Sequence, residues 1–180
     1  MRILVLASAG GDEHRRALGA LVAAASTQHD VRVLAPEAEA ELLRPFGIPV
    51  ESWNPAGLFR ALRSVGALRR AVEHHAPDVI HAVGWSAAAV ALGARPPAEA
   101  RRALITLLEP LGEDEMPKQF VEKRLPELLR RAAFATAASP SLARELTERF
   151  GVAAERVELV LVIDRTVALY ARLEPGISQG

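Results

Sequence analysis

With 180 residues, half of them hydrophobic, the chain has enough apolar material for one sizeable core and too little length for two full domains. Its 22 basic and 22 acidic residues cancel, which removes the basic footprint of a nucleic-acid binder, and the lack of cysteine excludes disulfides and thiolate chemistry. No apolar run approaches the roughly 20 residues a transmembrane segment needs, and the cysteine-free composition suits a cytoplasmic protein.

Residues 2–8, RILVLAS, form an aliphatic run without period-two alternation, the pattern of a central strand buried on both faces. One basic residue precedes the run and charged residues follow it, so it reads as a strand and not as a secretory leader. Gly10 and Gly11 break it. Ala17, Leu18, Leu21, Val22 and Ala25 then recur at helical spacing over residues 12–28, with Asp12 and Glu13 placed to favour a helix N-terminus. Residues 31–35 predict a second strand, 37–44 a short helix, 48–53 an extended segment between prolines, and 58–75 a long amphipathic helix ended by Pro77. Four more strands are expected at 78–83, 103–108, 134–138 and 157–162, with helices at 86–93, 119–131, 139–150 and 165–173. Such alternation predicts a three-layer, Rossmann-like α/β domain with a mostly parallel sheet, spanning residues 1–174 and followed by a flexible tail at 175–180. The stretch 109–118, EPLGEDEMPK, has the composition of a solvated loop.

Open α/β sheets bind ligands outside the carboxyl ends of their strands, which directs attention to residues 9–14 and 81–85. Gly10 and Gly11 allow close approach to the backbone, and the helix after them points free N–H groups at an anion. The run matches neither G-x-G-x-x-G nor a Walker A sequence, so a plain strand-to-helix turn is the competing reading. His81 ends a buried strand, either as a ligand contact or as a hydrogen-bonded strand-end histidine. Trp85 is either a platform for the apolar face of a sugar or a buried tryptophan, and Trp53 follows the same logic. His74 and His75 close a helix before Pro77, where imidazole favours the C-terminus. No metal-ligand pair at i, i+4 and no cofactor motif is present. The acidic run at 113–115 reads as a solvated face, and Ser139 reads as a helix N-cap with Pro140 at the first helical position.

Taken in order, several of these segments resemble the N-terminal domain of GT-B glycosyltransferases of family 4. Gly10, Gly11, Glu13 and His14 match the family's opening glycine turn, and His29-Asp30-Val31 matches its step into the second strand. Pro77-Asp78-Val79-Ile80-His81 is similar to the "PDVIHaH" strand end, with Val83 where the second histidine would stand. After the next strand the family's Thr-x-His is replaced by Thr106-Leu107-Leu108, while residues 137–152 are similar to the helix near the domain's end. The resemblance covers about residues 1–160. Where the family reads "vvPNGvD" and crosses to its nucleotide-sugar domain, residues 159–164 read LVLVID.

The resemblance implies half of a GT-B fold, with His81 and His14 as catalytic candidates, the Gly10-Gly11 backbone near a diphosphate, and Glu13, Gly84 and Trp85 as substrate contacts. It further implies that the last helix covers the first domain as the closing helix of full-length relatives does. Three functional classes follow: an acceptor-side half completed by a nucleotide-sugar-binding domain on a separate chain, a non-catalytic binding domain that pairs with itself as a homo-oligomer, and a small nucleotide- or anion-binding protein using Gly10-Gly11.

Overall fold

The computed structural model describes residues 1–53, 58–94, 103–112, 116–160 and 163–173. The acidic run at 113–115 and the tail expected at 175–180 lie outside them.

Seven strands form one sheet in the order β3-β2-β1-β4-β5-β6-β7, every neighbouring pair parallel. They are β1 (Arg2–Ala7), β2 (Asp30–Ala35), β3 (Val50–Ser52), β4 (Val79–Val83), β5 (Ala103–Leu107), β6 (Phe134–Ala137) and β7 (Val157–Leu159). The expected strands are therefore all present, and the two at the sheet's edges are the shortest. Strand order reverses between β1 and β4, the place where open α/β sheets leave a crevice.

The helices are α1 (Asp12–Ser26), α2 (Glu37–Leu43), α3 (Leu58–His75), α4 (Trp85–Gly93), α5 (Lys118–Lys123), α6 (Leu125–Leu129), α7 (Pro140–Arg144) and α8 (Ile163–Arg172). The single helix expected at 119–131 is two short ones. Pro126 has no amide hydrogen for a helical bond to the carbonyl four residues back, so the chain restarts at Leu125. The helix expected at 139–150 begins as read, with Leu142 N–H donating to Ser139 Oγ at 3.3 Å. It then widens into a π turn over Glu145–Arg149, closed by Phe150 N–H on Glu145 O at 3.2 Å.

Alternation along each central strand sends side chains into two layers. Leu4, Leu6, Ile80, Ala82 and Ile105 join the core under α3, α4, α6 and α7. Ile3, Val5, Ala7, Val79, Val83 and Leu104 join the core under α1, α2 and α8. The sheet is thus covered on both faces, which is why its strands read as continuous apolar runs. Helix α8 packs along α1, burying Val167, Leu169 and Tyr170, with Leu173 buried just beyond its end, and so takes the covering position expected of it. Among the described residues no helix is long and apolar enough to cross a membrane.

Candidate functional site

The crevice between the ends of β1 and β4 is filled by the chain's own side chains. His14, on the first turn of α1, is 3% exposed. Its ring lies against Gly10, where an added Cβ would come within 2.2 Å of Cγ, and reaches Gly84, where one would come within 3.4 Å of Cε1. Gly84 is required for a second reason: its φ is +94°, and a Cβ there would sit 2.7 Å from Ser8 Oγ. Ser8 in turn caps α4, accepting from the Ala87 N–H at 2.9 Å. Glycines at 10 and 84 therefore let two loops close onto one imidazole.

The anion site expected at Gly10-Gly11 is occupied from within. Glu39, on α2 and 1% exposed, accepts from the Gly10 N–H through Oε1 at 3.3 Å and from Arg15 Nε at 3.3 Å. Its other oxygen, Oε2, is buried without a hydrogen-bond partner among the described residues. Glu109 lies on the other side, 3.3 Å from where a Gly11 Cβ would be. With Asp12 and Glu13 on the first turn of α1, the glycine turn is ringed by carboxylates. Arg15 pairs with two of these carboxylates, Asp12 and Glu39, each at 3.3 Å.

Trp85 opens α4 and is 2% exposed. Its indole N–H donates to Glu109 O at 2.9 Å, and its ring lies 5.2 Å from that of Phe150. The sugar platform considered for it is thus a core contact that ties the loop after β5 to α4. Trp53 behaves alike, donating to Ala7 O at 2.8 Å.

His81 also stands elsewhere than at an open cleft. It is 0% exposed, on the sheet face covered by α1 and α8. Nδ1 lies 2.6 Å from the Tyr170 hydroxyl and Nε2 lies 2.7 Å from Thr106 Oγ1. Thr106 Oγ1 is 2.7 Å from Thr136 Oγ1, which donates to Ile105 O at 3.3 Å. The rings of His29 and His81 meet that of Tyr170 edge-on, at centroid distances of 5.5 and 5.6 Å. Burial lowers the His81 pKa to about 3 and raises that of Tyr170, so both are neutral near pH 7. Tyr170 is the partner that sequence reasoning missed, because 89 positions separate it from His81. The one available signal was a lone tyrosine in the closing helix.

Open space lies one step along the same edge. A pocket of about 250 Å³ sits at the carboxyl ends of β5, β6 and β7, between α1 and α8. Thr106 and Thr136 lie at its floor, Ala17, Leu21 and Val160 form apolar walls, and Glu13 lines its rim. Of the expected site residues, the fold brings His14, Gly10 and Gly84 together in the closed crevice and leaves Glu13 at the open pocket. Among the described residues no cluster of three metal-ligating side chains occurs.

Residues 15–161 match the family model described as Glycosyltransferase Family 4. The chain belongs to glycosyltransferase family 4. Solved structures similar to this family 4 chain include Anabaena Alr3699/HepE in complex with UDP and glucose, at 20% identity and a TM-score of 0.64, covering 89% of this chain and 44% of that one. The lipopolysaccharide outer core galactosyltransferase WaaB matches at 12% identity and a TM-score of 0.60, covering 88% and 45%. A Thermosynechococcus elongatus sucrose-phosphate synthase chain matches at 14% identity and a TM-score of 0.61, covering 96% and 97%. The family 4 chain thus spans less than half the length of HepE and WaaB and 97% of the third. These likenesses establish half of a GT-B fold. No curated protein matches the chain.

Proposed function

We propose that this domain supplies the acceptor-side half of a family 4 sugar transfer, holding the acceptor in the pocket between α1 and α8. The nucleotide sugar is then held by a donor-binding domain that these residues do not contain. One observation carries the reading: at the sheet's ligand-binding edge the pocket under α8 is open, while the glycine turn already has Gly10 N–H on Glu39. The same observation counts against a nucleotide or anion site at Gly10-Gly11.

In this reading neither His81 nor His14 performs the chemistry, since they are 0% and 3% exposed. Glu13, exposed at the pocket, is the residue placed to accept a hydrogen bond from the acceptor's hydroxyl. Calorimetric titration of the isolated chain with UDP-glucose is expected to show no heat of binding. Micromolar affinity for the nucleotide sugar would overturn the proposal and return the donor site to this domain. A self-pairing interaction domain is the second reading, favoured by Leu42 and Phe46, which stand 40% and 52% exposed close to the edge strand β3. A monomer in light scattering excludes it.

A further inference from the structure

The polar residues beneath α8 form a chain whose direction is determined by its last member. A carbonyl oxygen only accepts, so where the Thr136 hydroxyl bonds Ile105 O, 3.3 Å away, its single hydrogen lies on that carbonyl and not on Thr106. Thr106 must then donate to Thr136 across their 2.7 Å contact. With its own hydrogen used, Thr106 accepts from His81, which places the imidazole hydrogen on Nε2. Nδ1 is left bare and accepts from the Tyr170 O–H. Each of the four side chains donates once, His81, Thr106 and Thr136 each also accept once, and the sequence of bonds runs one way, from α8 through β4 and β5 to β6.

This order has a chemical consequence in the pocket, where Thr106 and Thr136 are lining residues. Both hydroxyl hydrogens point inward along the chain, so each oxygen has a remaining lone pair and no hydrogen to offer. Glu13 at the same pocket is an acceptor as well when ionised. We infer that the pocket floor is a hydrogen-bond-accepting surface, held so by Tyr170 and His81 as positioning residues. It therefore selects ligands that present a hydroxyl or ammonium hydrogen. Ligands that present only a carbonyl, carboxylate or phosphate oxygen are disfavoured at this floor, because lone pair then meets lone pair. The inference rests on the acceptor-side reading for the place where the ligand sits, and it adds which end of that ligand faces inward.

Two measurements on the full chain test it, neither needing the donor domain. In nitrogen-15 NMR of labelled histidine, His81 is expected as the Nε2–H tautomer, and an Nδ1–H ring overturns the inference. Cyclohexanol and cyclohexanone then serve as neutral probes of nearly equal shape, one able to donate and the other only to accept, followed through the Thr106 and Thr136 methyl signals. The alcohol is expected to bind about tenfold or more tightly than the ketone, the discrimination of one unmet buried hydrogen bond. Equal affinity, tighter ketone binding, or no response to the alcohol overturns the selectivity. Tyr170→Phe is expected to mix the tautomers and erase the preference, and a preference that survives in a folded Tyr170→Phe removes α8 from the account. UDP-glucose binding to the chain would defeat the acceptor-side reading while leaving the tautomer result untouched.

Discussion

Two regions at the same edge of the sheet use similar materials to opposite ends. At the switch point between β1 and β4, glycines, a serine and a histidine come into close contact, the glycines serving as places where His14 and Ser8 approach the backbone. Beyond β5, three threonines and a glutamate are among the residues that line about 250 Å³ of open space. A glycine turn before a helix is necessary for close approach, but the approaching group here belongs to the chain itself. The open pocket arises where α8 spans from β7 back to α1 without filling the ends of β5 and β6.

The largest expected effect breaks the closed region. Gly84→Ala must place a β-carbon 2.7 Å from Ser8 while holding φ at +94°, so a loss of about 4 kcal/mol is expected from strain and overpacking together. Thermal unfolding reads this directly, and a variant within 1 °C of the parent would show that the crevice is looser than described.

The next test sharpens the contrast through pH. The His81 pKa falls to about 3 in the folded chain, below the value near 6.5 of a free imidazole, so the unfolded chain takes up the proton first. The stabilising contribution is complete above about pH 6.5 and is lost as pH falls towards 3, by about 1.4 kcal/mol per unit. His75, also lowered by burial and opposed by Asp30, acts in the same direction. Denaturation free energies measured between about pH 7 and 5 should slope accordingly. A flat profile over that range would mean that His81 is hydrated.

The smallest expected effect concerns Trp85. Trp85→Phe removes the bond to Glu109 O, costs about 1 kcal/mol and leaves ligand binding in the pocket unchanged. A selective loss of binding with little loss of stability would restore the stacking role that its burial argues against.

The layering was legible from residue order, because β1, β4 and β5 are buried on both faces and appear as mostly apolar runs without alternation. The Ser139 cap was legible too, since a cap needs only its own next three residues. Site residues were harder for a physical reason. Whether Gly10 N–H is free depends on Glu39, 29 positions away, and whether His81 faces a cleft depends on Tyr170 at 89 positions. Local spacing contains no record of either encounter. The split at Arg124 differs in kind, because its cause is local: the missing amide of Pro126 outweighs the apolar periodicity of residues 119–131.

The distance between His81 and Tyr170 also bears on the order of assembly. Chains emerge from synthesis N-terminus first, and β1, β4 and β5 can pair before α8 exists. Until it arrives, a histidine in the middle of the sheet face lacks the hydroxyl that meets its Nδ1, and water must serve instead. Maturation of this domain therefore ends with the drying of one imidazole, an event that waits for residue 170 and that hydrogen exchange at β4 would time.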